Sequence, residues 1–429
     1  MTKRKIKVEA LARVEGEGAL DVTIRNGTIT NLKFRIYEPP RFFEALLVGR
    51  MFTDAPDITA RICGICPVAY LLGASQAMED ALGVRVEGPL RDLRRLVYAG
   101  EWIESHVLHV AMLHMPDFLG FQDALRMAHD HPQIVESALR LKKLGNRILE
   151  VIGGRAVHPV NLKVGGFYSV PRKAALRALL PELDWAIGAA GTLLEAVGRL
   201  PMPELERDYL FVALRHPAEY AVVDGRLASN QGMDIALPEY FDHFREDHEA
   251  HSNALHGRTN DGRPYHVGPL ARWAVNHDRL HPDVQAAASK AGIGPVVRNP
   301  FQSIIVRTAE VLQALIDARA LVEAYEEPDA PAVPVEPRAG TGYGCTEAPR
   351  GICVHRYTLN DDGTIAAATI VPPTAQNQPT IEDDLRAVVE SNLALDDEVL
   401  KWRCEQTIRN YDPCISCATH FLRLTIDRG

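Results

Sequence analysis

The chain has 429 residues, of which 46% are hydrophobic and 24% charged, a composition typical of soluble globular proteins. The net charge of −9, from 47 basic and 56 acidic residues, argues against nucleic acid as a partner. The sequence contains neither a run of about 18 apolar residues nor the apolar core of a signal peptide, so we expect no membrane span and no secretory leader. Seven cysteines are few and odd in number, which favours metal-binding or catalytic thiols in a reducing compartment, the cytoplasm.

The first half of the chain turns from β to α structure. Residues 5–37 are typical of strands, and VTIRNGTITNLKF predicts a hairpin that turns at Asn26-Gly27. PVAYLLGASQAMEDALG has Pro67 in its first turn and glycine at its end, as helices do. A longer helix follows over GPLRDLRRLVYAGEWIESHVLHVAMLHMPDF, where apolar residues recur every three or four positions. Further helices are predicted over residues 132–152, 172–199, 302–326 and 381–391.

The second half contains shorter elements. RPYHVGPLARWAVN, which contains Gly268, and the glycine-rich RAGTGYGCTEAPRG are interpreted as irregular, whereas GICVHRYTLNDDGTIAAATIVPP predicts a second hairpin. Four prolines between residues 326 and 340 are typical of a linker. The prediction is an α+β, mainly α protein, with a long central helix bundle and small peripheral hairpins and sheets. We expect one unit with four parts: a β-rich part (1–60), a helical body (61–325), a C-terminal part (326–420) and an extension (421–429).

Two C-x-x-C pairs lie near opposite ends of the chain, in RICGIC and in DPCISCATH. Four thiolates suit a soft or borderline metal, and each turn brings two sulfurs to one ion. A structural zinc site is one interpretation, although zinc ribbons usually place the second pair about 15–20 residues from the first. A redox dithiol would need only one pair. The other cysteines (Cys345, Cys353 and Cys404) lack a partner at this spacing and are predicted to pack as small apolar residues.

The residues that flank the pairs distinguish these interpretations. RICGIC and DPCISCATH resemble the two cysteine signatures of the large subunit of nickel–iron hydrogenases. ARVEGEG, RFFEALLVGR, GRAVHPVNLKVGG, EAPRG followed by His355, and VPPTAQN resemble further elements of that family, in the same order. The resemblance implies the large-subunit fold and reversible heterolytic cleavage of H2 into protons and electrons.

The resemblance also implies the metal ligands. Cys63 and Cys414 would be terminal ligands of nickel, whereas Cys66 and Cys417 would bridge nickel to an iron that carries carbon monoxide and cyanide. Such diatomic ligands need dry walls and a few hydrogen-bond donors. A second site, for magnesium or iron, would use Glu44, His420 and, from its spacing to the VPPTAQN motif, the carbonyl of Ile370.

Further residues would surround the metals. Arg350 would hang over the open metal position and pair with Asp412, while Thr374 would donate to a cyanide beside Pro349. Glu15 would take the proton from Cys414 and pass it outward, a role that suits a carboxyl with a raised pKa. The alternative interpretation of Glu15 is a charged residue at a strand edge, and Glu17, two residues on along the same strand face, is a rival for the proton.

One position departs from the family. Tyr70 stands where many members have a histidine that hydrogen-bonds a bridging sulfur; its hydroxyl is an alternative donor. The His106, His109 and His114 cluster invites a metal assignment, but a core or lining role is the preferred interpretation.

Within the family, the chain resembles the cytoplasmic bidirectional enzymes linked to NAD(P), including sulfhydrogenase α subunits. The chain lacks a dinucleotide fingerprint and cysteines for an iron–sulfur cluster, so electrons would leave through an iron–sulfur small subunit and then flavin-containing diaphorase subunits. In the family an endopeptidase cuts after the histidine of the second signature, which predicts cleavage after His420. Three alternatives remain: a hydrogen-sensing relative, a non-catalytic relative such as the quinone-site subunit of respiratory complex I, and a structural zinc protein.

Overall fold

Helices dominate the structure, a computed structural model that describes residues 3–419. The helices are α1 (Phe43–Leu47), α2 (Ala55–Thr59), α3 (Pro67–Leu82), α4 (Gly88–Val107), α5 (Met115–Leu119), α6 (Ala124–Asp130), α7 (Pro132–Gly153), α8 (Lys173–Arg177), α9 (Leu180–Gly198), α10 (Tyr240–His243), α11 (Pro269–Asn276), α12 (Pro282–Lys290), α13 (Ser303–Ala324), α14 (Pro373–Ser391), α15 (Asp397–Arg409) and α16 (Ile415–Ala418). No helix within residues 3–419 is both long and apolar enough to cross a membrane.

The strands form small antiparallel sheets around the helices. They are β1 (Lys3–Val8), β2 (Gly18–Arg25), β3 (Thr28–Ile36), β4 (Leu162–Lys163), β5 (Gly166–Phe167), β6 (Val212–Arg215), β7 (Arg226–Ser229), β8 (Asp234–Ile235), β9 (Phe244–His248), β10 (Leu255–Thr259), β11 (Gly340–Ala348), β12 (Gly351–Leu359) and β13 (Ile365–Val371). Three sheets have the order β1-β2-β3, β6-β7-β8 and β11-β12-β13, and β4-β5 and β9-β10 are two-stranded. The predicted α+β, mainly α class is confirmed.

Four long helices, α4, α7, α9 and α13, form the centre of the molecule. Helices α4 and α7 touch backbone to backbone, because a Cβ atom on Gly145 would lie only 2.7 Å from the carbonyl oxygen of Gly100. The long helix predicted over residues 88–118 is present, but a π-helical stretch, Leu108–His114, separates α4 from α5. Apolar spacing does not distinguish such a stretch from α-helix, since both keep one face of the segment buried.

Most predicted elements are found close to their expected bounds. Asn26 and Gly27 have the positive φ angles (50° and 79°) of the predicted hairpin turn, and α3 ends before Gly83 at φ 66°. Helices α7 and α13 match their predictions, whereas the segment 172–199 is divided into α8 and α9. Helix α14 begins eight residues earlier than expected, because Pro373 occupies its first turn, where a missing N–H costs no hydrogen bond.

Two segments interpreted as irregular are regular. RAGTGYGCTEAPRG contains strand β11, and RPYHVGPLARWAVN contains helix α11. The glycines of β11 are there because the strand lies directly on α3: a Cβ atom on Gly342 would be 2.1 Å from the carbonyl oxygen of Ala77. The absence of side chains reflects close packing in this strand, and not an irregular backbone.

The first and last parts of the chain share a second hydrophobic core. Sheet β1-β2-β3 packs against α14 and α15, and buried residues such as Phe34, Leu385 and Ile408 fill the interface. The segment before β2 consequently runs beside the segment after α15, where Glu15 and Cys414 form a parallel β-bridge. The proline-rich segment packs on the body of the protein, with the N–H of Phe167 donating to the carbonyl of Pro331 (2.8 Å).

Candidate metal centre

The fold brings the two C-x-x-C pairs into one buried cluster. The Sγ atoms of Cys63 and Cys414 are 3.4 Å apart, and those of Cys66 and Cys417 are 3.6 Å apart. All four sulfurs lie within 4.8 Å of one another, and each cysteine is at most 3% exposed. These separations exceed the length of a disulfide bond and suit sulfurs that surround a metal.

Local structure orients the first pair. Cys63 follows a 3₁₀ turn, and its sulfur accepts hydrogen bonds from the N–H groups of Ile65 (3.3 Å) and Cys66 (3.4 Å). These amides favour a negative sulfur. Hydrogen bonds from Cys414, Cys417 and Cys66 also lower the pKa of Cys63 well below its ordinary value.

The second pair lies around the short helix α16, which the rest of the chain holds in place. Burial raises the pKa of the Cys414 and Cys417 thiols, so protons alone do not stabilise the charged form of these two sulfurs. A soft cation would satisfy all four sulfurs together. The other cysteines (Cys345, Cys353 and Cys404) are buried, as predicted for packing residues.

Glu15 contacts the C-terminal segment directly. Its carbonyl accepts from the N–H of Ile415 (3.0 Å), and its carboxylate accepts from the N–H of Ser416 (3.0 Å). Burial raises the pKa of Glu15, and the charge of Cys63 adds to this rise. Glu17, the rival candidate, is exposed, and its backbone N–H donates to the Glu38 carboxylate (3.2 Å).

Arg350 and Asp412 form a buried ion pair at the cluster. The Nε of Arg350 donates to the carbonyl of Asp412 (2.6 Å), and its Nη2 lies 3.0 Å from the Asp412 carboxylate. Burial opposes the charge, yet Asp412 and the nearby cysteines hold the pKa of Arg350 well above its ordinary value. The arginine is therefore a fixed positive charge beside the sulfurs.

Thr374 and Pro349 lie on the segments that close the site. The hydroxyl oxygen of Thr374 accepts from the N–H of Cys414 (3.0 Å), so the hydroxyl hydrogen remains available as a donor. The carbonyl of Pro349 accepts from Arg272 (2.9 Å). That arginine is fully buried and pairs with Glu310 (2.8 Å) and Glu347 (3.0 Å), a scaffold that fixes the turn before Arg350.

Tyr70 is buried in α3 with an unsatisfied hydroxyl. The side chain is 1% exposed, and its hydroxyl has no hydrogen-bond partner within residues 3–419. Its ring is 6.0 Å from the ring of His355 in an edge-to-face arrangement. Burial raises the pKa of Tyr70 well above its ordinary value, and the neighbouring cysteines, Cys417 first among them, add to the rise. A buried donor without a partner fits a site built for a further group.

The residues predicted for the second metal site are only partly described. The carboxylate of Glu44 accepts from the N–H of Ile370 (2.7 Å), so the two residues are in contact through the amide of Ile370. The backbone N–H of Arg41, three residues before Glu44, donates to the carbonyl of Thr419 (2.7 Å). The predicted ligand His420 and the predicted cleavage after it lie outside the described residues.

The histidine cluster is buried and has other contacts. His106 lies 3.0 Å from the Glu310 carboxylate, and the Nε2 of His109 lies 2.7 Å from the carbonyl of Arg409. His109 and His114 pack ring against ring at 5.0 Å. Burial lowers the pKa of His106 to about 4.

Sequence reasoning missed two residues at the site. The guanidinium of Arg41 donates to the carbonyl of Ile62 (2.7 Å) and to that of Ser416, and so joins the two cysteine segments. Its position at the head of the RFFEALLVGR motif was a usable signal. The carboxylate of Glu101, on α4, accepts a hydrogen bond from the N–H of Val68 at the start of α3 (2.6 Å). No motif or spacing in the sequence indicates this contact.

The comparisons with known proteins agree with this geometry. The family model described as nickel-dependent hydrogenase matches residues 41–137 and 236–420. Sulfhydrogenase 1 subunit alpha of Pyrococcus furiosus is 33% identical, over 98% of both chains. The NAD-reducing hydrogenase HoxS subunit beta of Cupriavidus necator is 26% identical, over 98% of this chain and 95% of its own.

The fold matches solved structures of the same kind. The crystal structure of an NAD+-reducing NiFe-hydrogenase in the H2-reduced state superposes with a TM-score of 0.87 and 24% identity, covering 97% of this chain and 99% of the other. A NiFeSe-hydrogenase of Dm. baculatum superposes with a TM-score of 0.76 and 21% identity. Both likenesses extend along nearly the whole chain.

Proposed function

The chain belongs to the nickel-dependent hydrogenase family, and we propose that its four buried cysteine sulfurs hold a nickel–iron centre for the reversible cleavage of H2. As a member it is an oxidoreductase, the catalytic subunit of a hydrogenase. The observation that carries the proposal is the set of four Sγ atoms within 4.8 Å of one another, in a site shielded from solvent. When bound, the centre supplies the redox chemistry that separates H2 into two protons and two electrons.

The roles of the individual cysteines follow from their positions in the two family motifs. Cys63 and Cys414 form one close pair, and we assign them as terminal nickel ligands. Cys66 and Cys417 form the other, and we assign them as the sulfurs that bridge to iron. Serine cannot replace them, because a hydroxyl is a poor ligand for a soft metal.

The residues around the sulfurs would handle charge and protons. Arg350 would hold a positive charge over the open metal position, oriented by Asp412. Glu15 would accept the proton released on the Cys414 side, and the raised pKa of Glu15 fits a group that must both take up and release it. Electrons would leave separately, so each H2 yields two protons to the solvent and two electrons to a partner.

The walls of the site fit an iron with carbon monoxide and cyanide ligands. The hydroxyl hydrogen of Thr374 and the unsatisfied hydroxyl of Tyr70 are two donors on buried side chains, and we propose that Pro349 packs beside the iron ligands. For magnesium, or iron, at the second site we propose Glu44, Ile370 and His420, supported by the contact between the first two.

A partner subunit must receive the electrons. Among residues 3–419 only two groups of three or more possible metal ligands occur, the four cysteines and a His216, Glu219 and Asp224 group that ion-pairs with arginines. We propose an iron–sulfur small subunit and, from the NAD-reducing relative, flavin-containing diaphorase subunits that lead to NAD(P). Exposed apolar residues offer a docking face: Val157 lies beside Gly64 of the Cys63 loop, and Leu46, Val160 and Tyr168 line one cavity.

We further propose that a maturation endopeptidase cuts after His420. The second cysteine segment is held by long-range contacts, so its closure can follow metal insertion. Intact-mass measurement of the active enzyme tests this: a subunit that ends at His420 is expected, and full activity in a chain that ends at Gly429 contradicts it. The free cysteines suit a reducing compartment, and we propose the cytoplasm.

Metal analysis combined with infrared spectroscopy tests the function as a whole. One nickel per chain with cyanide and carbonyl stretching bands is expected. One zinc without nickel would make the cluster a structural site. Retention of all four cysteines argues against the non-catalytic relative, and hydrogen turnover with a redox dye separates an enzyme from a hydrogen sensor.

A further inference from the structure

Helix α3 begins at the metal cluster without a cap of its own. Cys66 is its N-cap residue, and its side chain makes no capping hydrogen bond. The first N–H groups of a helix have no partner within the helix and need an acceptor. A serine or aspartate would usually supply one at this position, but a sulfur that binds metal is not free to do so.

Glu101 supplies the missing acceptors from the neighbouring helix α4. Its carboxylate oxygens accept from the N–H of Val68 (2.6 Å) and from the N–H of Ala69 (3.2 Å). The side chain is fully buried. Pro67 has no N–H to offer, so these are the first two amide donors of the helix after Cys66.

The surroundings of Glu101 disfavour the charged form of its carboxyl. Burial raises the pKa of Glu101 well above its ordinary value, and Glu104 and Cys63 add negative charge nearby. The hydrogen bonds from Val68 and Ala69 offset part of the cost of burying this carboxyl, and they tie its position to the start of α3.

The same turn of α4 supports the other side of the cluster. Ser105 lies one turn after Glu101 on the same helix face, and its hydroxyl lies 3.5 Å from Nη1 of Arg350. Helix α4 thus contacts both the helix that starts at Cys66 and the arginine beside the sulfurs. It is a rigid element, packed against α7 at Gly145.

We propose that Glu101 is a positioning residue of the metal centre, which caps α3 in place of Cys66 and so fixes the direction of the Cys66 sulfur. The inference rests on the proposed role of the four cysteines as ligands. It implies that the two oxygens of Glu101 are needed for the geometry of the centre, beyond their contribution to folding.

Two variants of the complete enzyme test the proposal. Glu101→Leu removes both acceptors, and Glu101→Gln keeps the volume and one acceptor but turns an amide donor toward the second N–H. The nickel affinity, measured from the nickel retained after dialysis against a chelator, should fall about 10–100-fold in Glu101→Leu, as for other residues that orient metal ligands. It should fall less in Glu101→Gln. The infrared bands of the remaining centre should shift in both.

Glu382→Gln is the matched control, because Glu382 also accepts from a backbone N–H, that of Phe34 (2.9 Å), in the second core. It should keep nickel retention and band positions. Glu101→Leu with wild-type retention and unchanged bands would overturn the inference, as would a lowered Tm as its sole effect. If Glu101→Leu does not fold, Glu101→Gln decides by the same two readouts. A wild-type enzyme without nickel would instead contradict the proposed function, and the inference would fall with it.

Discussion

The two halves of the cluster are built in different ways. The Cys63–Cys66 loop is held locally: backbone amides bond the Cys63 sulfur, and the 16-residue helix α3 follows at once. The Cys414–Cys417 segment has only the four-residue helix α16, and its contacts come from distant parts of the chain. These contacts are made by Glu15, Arg41, Arg350 and Thr374.

This difference has a consequence for assembly. A loop that its own helix fixes can form early, whereas a segment held by long-range contacts can close only after the rest of the body has folded. The second half is therefore the part of the site able to admit metal before it closes. Substitutions around the second half are therefore expected to differ from those around the first half in how strongly they affect metal binding and turnover.

The largest expected effect comes from the sulfurs themselves. Replacing Cys63, Cys66, Cys414 or Cys417 by serine should abolish hydrogen uptake and evolution, because each removes a soft ligand from a four-sulfur site. Nickel content and turnover are measured together. Cys404→Ser, a buried cysteine of the second core, should retain both. A Cys414→Ser protein with full nickel and normal turnover would contradict the assignment.

Arg350→Lys tests the charge that spans the two halves. Lysine keeps the charge but loses the planar fork that contacts both the carbonyl and the carboxylate of Asp412. Turnover should fall about 10²–10³-fold with nickel still bound, since the change affects catalysis and spares the ligands. Exposed Arg319→Lys is the control, and equal losses in the two variants would exclude a specific role.

Glu15→Gln tests the proton route of the second half. The amide keeps the shape of Glu15 but carries no exchangeable acid proton, so turnover and hydrogen–deuterium exchange should fall about 10²–10⁴-fold. Glu17→Gln, on the exposed side, should leave both rates unchanged. If exchange persists in Glu15→Gln and falls in Glu17→Gln, the proton leaves by the other carboxyl.

Tyr70→Phe tests the first half with a smaller change. Loss of a hydroxyl that has no partner within residues 3–419 should cost little stability, yet shift the infrared bands of the centre. In Tyr98→Phe, a hydrogen bond to Thr346 (2.9 Å) is lost, so Tm should fall without a band shift. Identical bands in Tyr70→Phe and wild type would show that the hydroxyl does not reach the centre.

The smallest expected effect is on the stability of the protein at acidic pH, through a histidine that packs beside the second cysteine segment. His266 packs on Tyr411 at 5.0 Å, and burial lowers the pKa of His266 to about 3. The unfolded chain takes up this proton near pH 6.5 and the folded chain does not, so stability falls as the pH drops from about 6.5 toward 3. In this pH range His266→Phe should reduce the slope of the free energy of unfolding against pH by the contribution of one proton, about 1.4 kcal/mol per pH unit. Tm values between pH 7 and 4.5 check it, and an unchanged slope contradicts the buried neutral state.

The sequence determined the local features of this protein. The cysteine signatures, the proline at the start and the glycine at the end of α3, and the Asn26-Gly27 turn depend on neighbouring residues, so their structures follow from a few positions. The family and its chemistry could be inferred in the same way, since motifs in a fixed order carry them.

The tertiary structure decided what depends on contacts between distant segments. The glycines of β11 led to the prediction of an irregular segment. They are needed because the strand packs on the backbone of α3, which lies more than 250 residues away in the sequence. The separation of Glu15 from Glu17, the joining of both cysteine segments by Arg41 and the capping of α3 by Glu101 were hidden for the same cause. A hydrogen bond between two distant segments leaves no periodicity or spacing in either one, so only the folded chain brings donor and acceptor together.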